Sequence, residues 1–481
     1  MMAMTMTTTT TVAVAFVAAA AGALLLSPGV RRVASAAGRF LLSLVTLMAE
    51  RHDLAPQLTF PRGVDDLWQD PERLFVLIER EGGVPRGSTL ETVEKLGDVQ
   101  SEPDKAATTA ALRFVYKNGE EKQRSRHHLD VFVKFQSGRG MPVWLQAIRA
   151  AVEPGVAREV DFYRKMRNDC ALRTARVLFA DKHTWVNRVC IVLEYLSVQV
   201  DDHSNTMPHA SGLHRETDQE DGARLRVIPD SSFRCVDEMR LMVRKVAAMH
   251  AMFWGRAGEH PASSWLPRRK GIEFAGWALS LAPPKAKSAE FTRVFQGINV
   301  YFAGHALTVV HGDCRPGNMI FEGSPVARDV IFSDFEAVNI APAVWDVTYA
   351  IILGLSPEMR RANQDRLLHD YVEALSDEIA KRSESISVPT FQELQNQMLL
   401  LTVILFYVSF TVTTAGFWQK QGNTRSDLNS WGTRVLASLL DVDTERAGRL
   451  LGVGTADIEA IKKLGKDWAV QHQQQETQQE K

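Results

Sequence analysis

The stretch Leu307–Gly323, LTVVHGDCRPGNMIFEG, continues after two residues into Val326–Val338, VARDVIFSDFEAV, and together they decide how this chain is read. Apolar β-type runs at Leu307–Val310, Asn318–Phe321 and Val330–Phe332 alternate with polar loops. The loops carry His311, Asp313, Asn318 five residues beyond that aspartate, and Asp334 sixteen residues beyond the asparagine. A solvated aspartate on a loop is commonplace, but four such residues in this order, each beside a β-run, are not. Phosphoryl transfer accounts for every member of the set. A hydroxyl nucleophile must be oriented and relieved of its proton, which one carboxylate on a rigid loop can do. Magnesium on the phosphates needs oxygen ligands on the opposite side. Asp313 suits the first role, and Asn318 and Asp334 the second.

The neighbours of these residues invite plainer readings. His311 reads as a group that packs and hydrogen-bonds the loop. Cys314 has no identifiable activating partner and reads as a bystander. Arg315 suits contact with the γ-phosphate, contact with an anionic acceptor, or solvation. Trp345 and Asp346 read as structural, with Asp346 bonding the loop backbone, and His250 as a satisfied core histidine.

Upstream, the β-prone runs LETVEKLG, AALRFVYKNG and LDVFVKF from Leu90 onward predict an antiparallel sheet. Glu153–Asn168 has helical spacing, and Arg188–Leu196 reads as a buried strand. Lys134 lies in VFVKF with apolar flanks, so its charge requires a partner, for which Glu159 is the candidate. Residues 197–231 are polar and read as a linker or insertion. Helical periodicity then dominates, at Val236–Trp254, Ala275–Leu281, Phe291–Phe302, Gln364–Arg382 and Phe391–Trp418. Met398–Trp418 carries no charge over 21 residues, long enough to cross a bilayer, yet its threonines, serine and glycine favour a buried core helix.

The composition sets outer bounds. At 481 residues there is room for two or three folding units. Lysine plus arginine number 56 against 57 acidic residues, so no global field points to a nucleic-acid partner. The 4 cysteines are scattered, unlike a zinc site or a disulfide scaffold. Val12–Leu26 is apolar and precedes Arg31 and Arg32. A membrane anchor with a cytoplasmic-facing enzyme, a cleaved organellar targeting peptide and a plain tail all fit this segment.

The catalytic-type loop resembles the HGDxxxxN loop and metal-binding aspartate of the aminoglycoside phosphotransferase and choline kinase superfamily. With AAMHAMFW (Ala247–Trp254), VVHGDCRPGNMIF, APAVWDVTYAI and LSPEMRRANQDRLLHDYVEAL, it is similar to the CHK kinase-like, or ecdysteroid-kinase-like, group. The resemblance spans most of Leu90 to about Leu440. It implies an α+β, bilobal protein-kinase-like fold, with a small antiparallel sheet and one helix in the N-lobe and a larger, mainly helical C-lobe. ATP would occupy the cleft, with Mg2+ held by Asn318 and Asp334. Lys134 takes the place of the strand lysine on the α- and β-phosphates and Glu159 that of the helix glutamate orienting it. Glu194, Tyr195 and Leu196 take the place of the adenine hinge, and Arg315 stands beside the phosphate. The turn GDVQSEPDKAATT (97–109) lacks the glycine motif of protein kinases, and no APE motif or activation segment follows the site. The expected organisation is an N-terminal segment (1–50), an N-lobe (51–196), a linker (197–231), a C-lobe (232–465) and a disordered Gln-rich tail (466–481). The expected activity is transfer of the γ-phosphate of ATP to a hydroxyl of a small molecule. A pseudokinase-type binding module, a protein kinase and a membrane-tethered interaction protein are the competing classes.

Overall fold

The computed structural model describes residues 40–44, 46, 60, 61, 63–96, 108–119, 126–136, 155–183, 188–200, 225–227, 236–266, 288–323, 327–382, 386–414 and 425–479. They fall into two compact units, Met1–Val160 with Val177–Tyr195, and Asp161–Arg176 with Leu196–Lys481.

In the first unit, α1 (Val64–Gln69) and α2 (Pro71–Arg80) precede β1 (Thr89–Lys95), β2 (Thr108–Lys117), β3 (Arg126–Gln136), α3 (Gly155–Lys165), β4 (Val177–His183) and β5 (Arg188–Glu194). The division between the units falls within α3, after Val160. The five strands form one antiparallel sheet in the order β1-β2-β3-β5-β4. Period-two alternation sends Ala110, Leu112 and Phe114 of β2 and Val131, Val133 and Phe135 of β3 into one core. The sequence reading foresaw this sheet but neither β4 nor the two helices that cover it. Their signal is local. Asp70 caps α2 by accepting from the Arg73 N–H at 3.2 Å, and Pro71 starts the helix where its missing donor costs nothing. The apolar face Leu74, Phe75, Leu77 and Ile78 then joins the sheet core, with the Phe75 and Phe114 rings 5.9 Å apart. Burial of each such side chain contributes about 2 kcal/mol.

The second unit is mainly helical. It contains β6 (Gln199–Val200), β7 (Leu225–Val227), α4 (Val236–Phe253), α5 (Ala289–Phe302), β8 (Thr308–Val310), β9 (Met319–Glu322), β10 (Asp329–Phe332) and β11 (Asn339–Ala341). After these come α6 (Val344–Gly354), α7 (Pro357–Ala380), α8 (Phe391–Thr414), α9 (Arg425–Leu440), α10 (Thr444–Leu451) and α11 (Thr455–Gln479). The α+β class expected from the sequence is thus the observed one. β10-β9-β7-β6 form a four-stranded sheet and β11-β8 an antiparallel pair. β6 and β7 lie in the stretch read as linker, where β7 pairs with β9.

Two boundaries differ from the sequence reading. α7 starts at Pro357 rather than Gln364, because Ser356 Oγ accepts from the Met359 N–H at 3.2 Å and Pro357 occupies the first turn. α11 continues to Gln479, through most of the stretch expected to be disordered. Its Gln, Glu and Lys residues are good helix formers, and glycine and proline are absent there. α8 buries Met398, Leu400, Leu401 and Val403–Tyr407, as a core helix does. Among the described residues no helix is long and apolar enough to cross a membrane. The apolar run Val12–Leu26, the helix expected at Ala275–Leu281, the turn 97–107 and residues 415–418 lie outside the described residues.

Candidate active site

Within the second unit the site is built on two short antiparallel ladders. β8 pairs with β11, placing Val310 opposite Asn339, and the loop His311–Asn318 leaves β8 at that point. Gly312 turns the chain with φ of +87°, and a Cβ there would lie 2.2 Å from the Ala337 carbonyl oxygen. Both the backbone angle and the close approach require glycine. Arg315 N–H donates to the Asp313 carbonyl at 2.9 Å and Asn318 N–H to the Arg315 carbonyl at 3.0 Å, closing a 3₁₀ turn at Pro316–Asn318.

Asp313 is held from its own loop. Asn318 Nδ2 donates to the Asp313 carbonyl oxygen at 2.9 Å and to Asp313 Oδ2 at 2.8 Å. Arg315 Nε donates to the same Oδ2 at 3.2 Å, while its guanidinium lies 5.2 Å over the Trp431 ring of α9. One carboxylate oxygen is therefore fixed by two donors.

The β9–β10 hairpin returns the chain to Ser333 and Asp334. Ser333 N–H and Oγ donate to the Asn318 carbonyl at 3.0 and 2.9 Å. His311 is fully buried, with Nε2 at 3.0 Å from the Ser333 carbonyl and Nδ1 accepting from the Asp313 N–H at 3.3 Å. Those partners define a neutral imidazole with its proton on Nε2, tying the two loops together. Asp334 is the one described non-glycine residue with positive φ, at 63°, and it enters a 3₁₀ turn at Phe335–Ala337. Aspartate tolerates this conformation better than most residues. Phe335, buried behind it, stacks on Phe162 with centroids 3.7 Å apart.

The donor set fits a hard cation. Both N–H groups of the Asn318 amide are committed to Asp313, so Oδ1 is the atom Asn318 can offer. Asp334 adds a carboxylate. Among the described residues no group of three or more His, Cys, Asp and Glu side chains forms a metal cage. One amide oxygen and one carboxylate suit magnesium, which keeps waters and phosphate oxygens for its remaining positions.

A buried support lies beneath the loop. Asp346 of α6, fully buried, accepts from His311 N–H at 2.6 Å and Gly312 N–H at 2.9 Å, and Trp345 Nε1 donates to the Gly312 carbonyl at 3.0 Å. His250 of α4 places Nε2 at 3.2 Å from Asp346 Oδ2 and Nδ1 at 2.8 Å from the Tyr371 hydroxyl of α7. Asp346 and His250 were legible as structural residues; Tyr371 was not, having only a place in a helical repeat. Burial pushes the Cys314 thiol well above its usual range, with Asp346 and Asp313 adding to the effect, so it is not a nucleophile at neutral pH.

In the first unit, Lys134 of β3 alternates away from Val133 and Phe135, and its Nζ lies 2.7 Å from Glu159 Oε2 of α3. Their side chains are 14% and 3% exposed, so the pair is largely shielded from water. Glu194 ends β5 opposite Val131, and the Tyr195 N–H is committed to the Asp130 carbonyl at 3.0 Å. Leu196 follows directly and is the first residue of the second unit's longer segment.

Asp313, Asn318, Asp334 and Asp346 all lie in the segment from α5 to α7. Residues 285–383 match the Ecdysteroid kinase-like family. This ecdysteroid kinase-like segment is about a fifth of the chain. No curated protein matches the sequence. Solved structures align over a larger share. The GDP complex of aminoglycoside 2'-phosphotransferase-IIIa has 10% identity and a TM-score of 0.40, covering 76% of this chain and 97% of that one. Choline kinase LicA from Streptococcus pneumoniae has 13% identity and a TM-score of 0.39, covering 76% and 99%. Spectinomycin phosphotransferase in complex with ADP and spectinomycin has 9% identity and a TM-score of 0.39, covering 80% and 98%.

Proposed function

We propose that this chain is an ATP- and magnesium-dependent phosphotransferase acting on a hydroxyl group of a small molecule. The observation that carries the reading is the state of Asp313, a carboxylate with one oxygen fixed by Asn318 and Arg315 on a loop whose backbone is itself held by Asp346. The family match over this segment supports it.

In this reading Asp313 orients the acceptor hydroxyl and takes its proton as the new oxygen–phosphorus bond forms. The bond from the γ-phosphorus to the bridging oxygen breaks, and ADP leaves with that electron pair. Asn318 and Asp334 would hold magnesium, which when bound neutralises charge on the phosphates. Lys134, oriented by Glu159, serves the α- and β-phosphates, and Arg315 the phosphoryl group in transfer. The backbone at Glu194 and Leu196 serves the adenine. An amino alcohol, a sterol-like compound or an antibiotic fits the acceptor class.

Thermal unfolding of the full chain with ATP, with and without magnesium, tests the nucleotide site. Wild type and Asp313→Asn should gain stability with magnesium and ATP together, about 2.7 kcal/mol at a hundredfold excess over Kd. Asp334→Ala should lose that gain. Labelled phosphate should pass from ATP to hydroxyl compounds with wild type and not with Asp313→Asn. A folded wild type unmoved by ATP and magnesium would refute the reading.

A further inference from the structure

We propose that Tyr371 is a positioning residue: its hydroxyl, donated to His250 Nδ1, anchors the imidazole whose Nε2–H holds Asp346 against the backbone of the loop carrying Asp313. The inference rests on the reading of Asp313 given above and adds to it a residue on a different helix, touching neither nucleotide nor acceptor.

The argument begins with burial. Tyr371, His250, Asp346 and His311 are all 0% exposed, so each polar atom among them must find its partner inside the protein. His250 has two neighbours of different character. Nε2 faces Asp346 Oδ2 at 3.2 Å, and an ionised carboxylate only accepts. Nδ1 faces the Tyr371 hydroxyl at 2.8 Å, which either donates or accepts. If the imidazole proton sat on Nδ1, the Nε2 lone pair would oppose the carboxylate in a medium without water to screen it. With the proton on Nε2 alone, both contacts are hydrogen bonds, and Tyr371 is the donor to Nδ1. Burial and the Asp346 charge push the Tyr371 hydroxyl well above its ordinary range, so that proton stays in place.

The consequence is carried through Asp346. Its Oδ2 receives both the His250 N–H and the His311 N–H, and its Oδ1 receives the Gly312 N–H. Rotation of the carboxylate would break a bond to the turn that sets Asp313. Thr308 Oγ1 donates to the His250 carbonyl at 2.6 Å, so α4 is also tied to β8, the strand from which the loop departs. Tyr371→Phe removes one oxygen and leaves the ring. What it takes away is the buried donor that holds the imidazole at Nδ1.

The experiment uses the full chain and reads His250 directly. Nitrogen-15 spectra of the imidazoles, with His250 assigned by its loss in His250→Gln, should report a neutral Nε2–H ring in wild type near pH 7. In Tyr371→Phe the Nδ1 resonance should move downfield, as that of a ring nitrogen does when it stops accepting a hydrogen bond. Hydrogen exchange of the loop amides at His311 and Gly312 should accelerate at least tenfold in Tyr371→Phe, while exchange in the β2–β3 ladder stays at the wild-type rate. His250→Gln restores a donor to Asp346 without needing Tyr371, so adding Tyr371→Phe to it should change loop exchange little. With magnesium and ATP, Tyr371→Phe should lower the rate of ADP formation tenfold or more at an unchanged KM for ATP. An Nδ1–H or doubly protonated His250 in wild type overturns the inference. So does loop exchange in Tyr371→Phe equal to wild type. A wild type with no ADP formation overturns the phosphotransferase reading instead, and the tautomer and exchange results still decide the role of Tyr371.

Discussion

Asn318 donates its side-chain Nδ2 to Asp313 Oδ2 at 2.8 Å, so the amide assigned to magnesium also fixes one oxygen of the carboxylate assigned to the acceptor. The two roles are joined in one side chain, and substitution should damage both. Asn318→Asp places a second carboxylate against Asp313 and deletes the donor, which is worth about 1–3 kcal/mol in a shielded site. The expected result is turnover reduced at least a hundredfold and a lower melting temperature. Phosphate transfer and thermal unfolding measure the two effects. Asn318→Asp with wild-type turnover would mean that the contact has no part in the chemistry.

Lys134 and Glu159 form the other charged pair of the proposed site. Lys134→Ala deprives a 3% exposed glutamate of its ion-pair partner, which should cost about 3 kcal/mol in denaturant unfolding. The double variant Lys134→Met, Glu159→Leu keeps the volume and removes both charges, so it should recover most of that stability. Neither should gain stability from magnesium and ATP as wild type does. Equal stability of the single and double variants would contradict the pair's burial.

How far these features could be read beforehand follows from how local they are. His311, Asp313 and Asn318 lie within one loop, and a single hairpin delivers Asp334, so their order along the chain almost dictates their meeting. The Lys134–Glu159 pair was legible because apolar flanks force a buried lysine to find an anion. Tyr371 lies 121 residues from His250, and only the packing of α7 against α4 joins them. The cover on the sheet by α1 and α2 was equally hidden, since a capped ten-residue amphipathic helix does not announce which surface it will bury. The early start of α7 was available in Ser356-Pro357, whose capping chemistry outweighs the weak apolar periodicity of the first turns.

Acid stability should depend on Asp457, which joins α11 to α5. Arg293 Nη2 donates to its Oδ1 at 2.6 Å, and this hydrogen bond, opposed by burial, holds the Asp457 carboxyl below its ordinary 3.8. A depressed folded-state value means the pair contributes fully above about pH 3.8 and is lost as pH falls through the lower folded value. Asp457→Asn should therefore be less stable than wild type at pH 6, and the difference should shrink below pH 4. Melting curves between pH 3 and 6 check the sign, and a gap that widens on acidification would refute it.

Two glycines separate the cost of backbone angle from that of space. Gly312 and Gly452 both have positive φ, of +87° and +64°. A Cβ on Gly452 meets nothing within 4 Å, whereas one on Gly312 lies 2.2 Å from the Ala337 carbonyl oxygen and 2.8 Å from its carbon. Gly452→Ala should thus lose only the left-handed preference, about 1 kcal/mol. Gly312→Ala carries the same term plus a clash with backbone that cannot rotate away, and should lose roughly 3 kcal/mol or more. Relief requires the loop to move off the Phe335–Ala337 turn, stretching the Gly312 N–H bond to Asp346 and displacing Asp313. A shift of about 1 Å there is enough to cost on the order of a hundredfold in rate. Urea unfolding should rank the two variants in that order, and phosphate transfer should fall in Gly312→Ala alone. Equal losses in both would mean that the loop accommodates a side chain, and that the close approach to Ala337 does not set the position of Asp313.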